Sequence, residues 1–416
     1  MNAMTSKDGR ATGTPAGGGP LAGLRVLDLT QFLSGPYCTL ILGDLGAEIV
    51  KVEPPQGDSS RHVPPHFVGD DSAYFLSINR NKKSIVLDLK SEAGRDLLRR
   101  LALVSDIVVE NFRPGVLERL GVSPEALRKE KPSLVWCAIS GFGQSGPYRD
   151  KPAYDMIVQA LSGGMSMTGE KGRGAVRAGI PLGDLAAGMY AAIGILAAIN
   201  RRHLTGQGET IDISMLDCQA AMLSYQAAYH LHSGHVPDRQ GSGHDSIPTY
   251  RTFTAGDGIE VVITANTERM WQGLCRALGI AHLIEDPRFL TNRERYQNRL
   301  ELWPLLEAAF LAAPADDWVA KLEQEEVPVG VVNTLDRVVA DPQILHREMV
   351  LALERDGAGA RVMGNPVKLT EAMRAEHHYP PALGAEGDDI LRGILNLGED
   401  ELADLRSKGV ITPRPG

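Results

Sequence analysis

The sequence predicts an α/β fold, with a large domain built on a parallel sheet and a second, smaller α+β domain. Three observations carry this. From Leu24 onward, short apolar runs alternate with longer helical ones, the pattern of strands joined by crossover helices. Glycine or proline stands at most of the junctions. The stretch 226–330 then breaks the alternation with a hairpin signal and several consecutive helical segments.

LRVLDLT, from Leu24, reads as a buried strand, GPYCTLILGDLG as a helix ended by glycine, and AEIVKVEPP as a second strand stopped by prolines. The alternation continues with the strand SIVLDL, the helix EAGRDLLRRLALV, the strand DIVVENF, the helix VLERLG and the strand SLVWCAISGFG. LAAGMYAAIGILAAI, 185–199, is the most apolar run, and its 15 residues fall short of the roughly 20 that span a bilayer, so it reads as a buried helix. Asp184 stands where an N-cap would sit, and Arg201, Arg202 and His203 follow at the end that favours cations. TGQGETIDISML gives a turn and a strand, CQAAMLSYQAAYHL a helix, and YRTFTAGDGIEVVITA a hairpin around Gly256, Asp257 and Gly258.

Composition excludes several classes. Forty-three basic residues against 52 acidic give a net charge of −9, which argues against a nucleic-acid binder. Cys38, Cys137, Cys218 and Cys275 are scattered and form no CxxC or Cys/His cluster, so neither a disulfide framework nor a metal site is expected, and a reducing cytoplasm fits. The first 20 residues are small and polar and read as a disordered tail rather than a signal peptide.

The first strand, helix and second strand imitate a dinucleotide-binding unit, but the turn reads TQFLSGPY and lacks GxGxxG, so NAD binding is not expected. NFRPGVLERLG sets Asn111, Phe112, Arg113 and Arg119 around a Pro-Gly turn, a combination that suits a phosphate-bearing ligand. INRNKKS and LDLKSEAGR, with Lys90, add positive charge to the same half. SGFGQSGPYRD places a glycine-rich loop after a strand, at the edge where parallel sheets bind ligands. Each of these also reads as an ordinary solvated turn when taken alone.

KPAYDMIVQALSGG poses a different problem. Asp155 has no histidine, cysteine or second acid in the ten residues that follow it. A helix N-cap is one reading. The other is covalent catalysis, because a carboxylate is ionised at neutral pH and needs no base in order to attack, whereas acid/base work calls for a second titrating group.

These segments together resemble the class III CoA-transferases, the formyl-CoA transferase or CaiB-BaiF type. The resemblance is carried, in order and spacing, by PLAGLRVLDLTQFLSGPYCTLILGDLGAEIVKVEPPQGDSSR, NRNKKSIVLDLK, VENFRPGVLERLG, SGFGQSGP, YDMIVQALSGG, GDLAAGMYAAIGILAAI, DGIEVVITANTERMWQGLCRALG and DPRFLTNRERYQNR. It implies a Rossmann-like large domain at 21–225 completed by 331–416, a small domain at 226–330, and a homodimer of interlocked rings. It implies an enzyme that moves CoA reversibly from an acyl-CoA donor to a carboxylic acid acceptor, with no metal and no tightly bound cofactor, and with neither nucleic acid nor membrane as a partner. Carried over residue by residue, it makes Asp155 the nucleophile. It assigns CoA contacts to Leu33 and Ser34, to Leu87, Asp88, Leu89 and Lys90, to Asn111, Phe112 and Arg113, to Arg119, and to Ser140, Gly141, Phe142 and Gly143. Gly163 and Gly164 stand near enough in sequence to serve as oxyanion donors.

The chain departs from the formyl-CoA transferases in one place. Their long glycine run is replaced here by QGSGHDS, 240–246, which points to another branch, with succinyl-CoA or another short-chain donor and a dicarboxylic or hydroxy-acid acceptor. His230, His232, His235, His244 and Arg251 are the polar candidates of the small domain for reading that acid. Two rivals share the fold: a racemase of α-methylacyl-CoA thioesters, and a CoA-binding protein without catalysis. The racemase needs a histidine about thirty residues before the aspartate, and none occurs between His66 and His203.

Overall fold

The computed structural model describes residues 18–355, 357–371 and 376–411, so most of the expected N-terminal tail lies outside the described residues. The chain forms two units, 1–163 with 178–225 and 346–416, and 164–177 with 226–345.

The larger unit is built on six parallel strands: β1 Arg25–Asp28, β2 Glu48–Glu53, β3 Lys82–Val86, β4 Ile107–Glu110, β5 Val135–Ser140 and β6 Thr210–Ser214. Their order in the sheet is β3-β2-β1-β4-β5-β6. The direction of winding reverses between β1 and β4, and in such sheets the crevice beyond those two strand ends is where ligands bind. Alternate side chains go to opposite faces, as the two-residue period of a strand requires. Leu27, Val108, Trp136 and Ala138 enter one core, while Val26, Val109, Cys137 and Ile139 enter the other.

Helices cover both faces. The first core is closed by Glu92–Val104, Pro124–Glu130, Gly387–Leu395 and Glu399–Ser407, the last two supplied by the C-terminal return of the chain. The second is closed by α1, Ser34–Asp44, and by two further helices, Leu182–Thr205 and Met215–Met222. The apolar run read as a buried helix is half buried. Ala186, Ala187, Ala191 and Ile195 face the core, whereas Met189, Tyr190 and Ile193 are 41–60% exposed. Glycine decides how close Leu182–Thr205 comes to α1: a Cβ on Gly188 would lie 2.7 Å from the Ser34 carbonyl oxygen and 3.0 Å from the Tyr37 ring.

The smaller unit carries a three-stranded antiparallel sheet, Arg251–Thr254, Glu260–Ile263 and Val329–Val331, the first two forming the hairpin expected around Gly256 to Gly258. Its core centres on Phe253, Trp271, Phe289, Phe310 and Trp318. Buried Arg295 is neutralised by Glu268, at 2.8–2.9 Å. The expected limits of 226–330 change at both ends. Residues 164–177 join this unit because Gln240 and Gly241 donate to the carbonyls of Met167 and Gly169, and 331–345 stays with it because Val329–Val331 is a strand of its sheet. His230 Nδ1 donates to the His235 carbonyl, His244 stacks on Tyr250, and Arg251 lies 4.4 Å over the Trp303 ring, so each has a structural contact inside the unit.

Candidate active site

A buried ionic network shapes the turn after β1. Lys51 Nζ donates to Asp58 and to the Thr30 carbonyl, each at 2.8 Å, and Lys82 Nζ reaches Asp28 at 3.0 Å. Arg61 closes on Glu53 through two hydrogen bonds of 2.7 Å. Burial alone would push Asp28 up, but Lys82 and Lys51, with the hydroxyls of Thr30 and Thr39, hold it at about 2. Burial lowers Lys82 to about 8 against the pull of Asp28. The network also fixes an unusual backbone: Phe32 has φ +61°, and its N–H donates to Asp58 Oδ1 at 3.2 Å.

Across the β1/β4 switch point, Asn111 and Gln31 lock together. Asn111 Oδ1 accepts from the Gln31 N–H at 2.9 Å, and Asn111 Nδ2 donates to the Gln31 carbonyl at 2.8 Å. Asn111, expected to touch CoA, thus spends both ends of its amide on the turn that precedes Leu33 and Ser34.

That turn faces two carboxylates. Asp155 begins a short helix, Asp155–Leu161, whose N-cap is Tyr154. Its Oδ1 accepts from the Gly183 N–H at 2.7 Å and its Oδ2 from Gln159 Nε2 at 2.7 Å, while Gln159 Oε1 is itself held by the Ala178 N–H at 2.9 Å. Gly183 has to be glycine for this, since a Cβ there would lie 2.7 Å from Gln219 Nε2 and 3.0 Å from Asp155 Oδ1. The next residue is Asp184. The N-cap of its helix is Pro181, so Asp184 stands at the third helical position, with the N–H and hydroxyl of Ser34 near enough to favour its charged form. Burial and then the charge of Asp155 push Asp184 up to about 7. Burial, with Asp184, Asp58 and Asp155 nearby, pushes the Tyr74 phenol up to about 12, which keeps it a neutral donor.

Sequence reasoning singled out Asp155 and Ser34, but it read Asp184 only as a cap. The signal was the run of small residues after it, Ala186, Ala187 and Gly188, which lets the helix approach α1 closely enough to press an acid from its first turn against Ser34. The donors at Asp155 come from Gly183 and Gln159. Gly163, proposed from its place in sequence, leaves the Asp155 helix with φ +90°, and Gly164 opens a short helix of the other unit.

Leu87, Asp88, Leu89 and Lys90 line a cleft of about 330 Å³ together with Gln31, Pro54, Pro55, Gln56 and Phe112. Phe112 also borders a larger cavity of about 500 Å³, with Arg113, Gly115, Trp136 and Gln144. Burial pushes Glu110, at the head of that cavity, up to about 8. Ser140 to Gly143 line neither space: the Gly143 N–H returns to Ser140 Oγ at 2.9 Å, and the Phe142 ring packs edge-on against Tyr148. Among the described residues no group of three or more His, Cys, Asp or Glu is placed to hold a metal ion.

A crevice at the sheet's switch point, beside a pair of close carboxylates, suits transfer of an acyl group from a nucleotide-borne carrier. The comparisons agree. Residues 21–387 match the CoA-transferase family III profile, and the chain belongs to that family of enzymes. It is 38% identical over 394 residues to human succinyl-CoA:glutarate CoA-transferase, covering 94% of this chain and 90% of that one. It is 36% identical over 394 residues to succinyl-CoA–D-citramalate CoA-transferase of Chloroflexus aurantiacus, covering 94% and 98%. Among solved structures, a CAIB/BAIF family protein from Brucella suis superposes with a TM-score of 0.82 at 36% identity, over 91% of this chain and all of that one.

Proposed function

We propose that this CoA-transferase moves CoA from succinyl-CoA to a second dicarboxylic acid, through a covalent intermediate on one of the two paired carboxylates. The donor and the acceptor class rest on the two relatives, which are named for succinyl-CoA and for glutarate or D-citramalate. The observation that carries the mechanism is the pair of donors that fixes Asp155. It has one donor on each oxygen, from Gly183 and Gln159, which orients the carboxylate to which sequence reasoning gave the attack. Asp184 is desolvated and is pushed up to about 7 by burial and by the charge of Asp155. We therefore keep the attack on Asp155 and give Asp184 an electrostatic role beside it.

In this reading the Asp155 carboxylate attacks the thioester carbonyl carbon. A C–O bond forms, the C–S bond breaks, and CoA leaves as the thiolate. The thiolate then attacks the aspartyl carbonyl of the mixed anhydride, which expels succinate and leaves an aspartyl-CoA thioester. The acceptor carboxylate repeats the sequence in reverse, so Asp155 is regenerated and no proton is consumed. The Gly183 N–H and Gln159 Nε2, already bonded to the Asp155 carboxylate, are the donors for tetrahedral oxyanions formed at its carbonyl. Trapping the intermediate with hydroxylamine and locating it by peptide mass spectrometry tests both the mechanism and the choice of aspartate.

We also infer that the enzyme is a homodimer, the interlocked form that the family resemblance implies. Met156, Ile157 and Leu161 on the Asp155 helix are 49–54% exposed, and Met189, Tyr190 and Ile193 add to the apolar surface of the same unit. Light scattering after size exclusion should return twice the 44.9 kDa chain mass. The four cysteines are buried free thiols, which fits the reducing cytoplasm expected for the enzyme.

A further inference from the structure

The turn after β4 holds a basic cluster that the carboxylate pair does not use. Gly115 is left-handed, with φ +81°, and carries no side chain. At the point where a Cβ would stand, Arg119 Nη1 is 3.2 Å away and Arg149 Nη2 is 3.5 Å away. Two guanidinium groups thus converge on one small notch. Arg149 is held from behind: its Nε donates to the Gln144 carbonyl at 3.0 Å and its Nη1 to Asp150 Oδ1 at 2.9 Å, which leaves Nη2 turned to Gly115. Arg113 lies on the same turn and, with Gly115, lines the 500 Å³ cavity. Leu120, next to Arg119, lines the 330 Å³ cleft, and Phe112 belongs to both spaces.

Converging like charges repel, and in a chain of net charge −9 such a concentration calls for an anion. Guanidinium groups pair with phosphate oxygens through parallel N–H···O bonds, a geometry that one lysine cannot reproduce. We propose that Arg149 joins Arg119 in a two-guanidinium clamp over Gly115 that grips a phosphate group of CoA. The proposal rests on the CoA-transferase reading and adds to it a residue that sequence analysis did not single out. The phosphate is either the 3′-phosphate or the diphosphate, and the two share this chemistry.

Calorimetric titration of the full-length protein with CoA and with dephospho-CoA tests the clamp. Wild type should bind CoA, and Arg149→Met should bind it at least about tenfold more weakly. If dephospho-CoA binds wild type and variant alike, the clamp holds the 3′-phosphate; if the variant loses affinity for both ligands equally, it holds the diphosphate. Arg149→Lys should recover only part of the loss. Arg119→Met combined with Arg149→Met should lose less than the product of the single losses, because the two groups share one ligand. Arg149→Gln and a thermal melt of each variant guard against misfolding. Arg149→Met and Arg149→Gln variants that melt like wild type and bind CoA within about twofold of it would overturn the clamp. Failure of the wild type to bind CoA at all would instead overturn the CoA reading beneath it.

Discussion

The backbone N–H of Gly183 donates to Asp155 Oδ1 at 2.7 Å, and the very next side chain is the Asp184 carboxyl group. One hydrogen bond thereby ties the helix start that carries Asp184 to the other acid of the pair. The proximity has an electrostatic consequence that can be measured, because the charge of Asp155 helps to push Asp184 up.

Transfer should fall as pH rises through about 7, since Asp184 is pushed up to about 7 and its ionisation puts a second negative charge where the thiolate and the acceptor carboxylate approach Asp155. Asp184→Asn removes that titration and should remove the limb. A kcat–pH profile of both proteins checks the point, and an unmoved limb in the variant would separate the two acids.

Asp155→Asn should reduce turnover by at least about a thousandfold while leaving CoA affinity within a few-fold, because the substitution removes the attacking group and not the cleft. Binding by calorimetry and single-turnover kinetics read the two effects separately.

A third acid, Glu110, opposes stability at high pH. Burial raises Glu110 from 4.5 to about 8, so the folded protein holds a proton that the unfolded chain has released, and stability declines as pH rises between those values. Glu110→Gln should therefore be close to neutral near pH 4.5 and stabilising at pH 8, on the order of 1–3 kcal/mol. Denaturant titrations at the two pH values give the difference directly, and a destabilised variant at pH 8 would contradict it.

Breaking the ionic network beneath the turn should cost far more. Lys51→Met leaves Asp58 and part of Asp28 uncompensated in a buried setting, and a loss of about 3–5 kcal/mol is expected. Because Asp58 also holds Phe32, Asp58→Asn should weaken CoA binding in proportion to the disordering of the Leu33–Ser34 turn. Thermal melts and calorimetry of the two variants test this.

Much of the larger unit was legible in the sequence, since buried parallel strands write themselves as short apolar runs and Glu92–Val104 matches its predicted segment at both ends. The hairpin from Arg251 was legible for the same local reason, through its glycine-bearing turn. What escaped depended on long-range contact. Residues 164–177 join the smaller unit through hydrogen bonds to Gln240 and Gly241, which no local pattern records. The lock of Asn111 onto Gln31, eighty positions earlier, is another contact of this kind. Asp184 was masked by its good fit to a helix start, and only the approach of α1 at Gly188 shows why the acid meets Ser34.

The most direct test of the mechanism is peptide mass spectrometry after incubation with succinyl-CoA and hydroxylamine, with acetyl-, oxalyl- and formyl-CoA alongside. Lys171, Arg173 and Arg177 lie between the two acids, so trypsin places Asp155 and Asp184 on different peptides. The account predicts a hydroxamate on the Asp155 peptide, formed with succinyl-CoA and absent from Asp155→Asn. A hydroxamate on the Asp184 peptide would move the attack to that residue, and no adduct with any donor, together with α-proton exchange into deuterated solvent, would contradict covalent CoA transfer altogether.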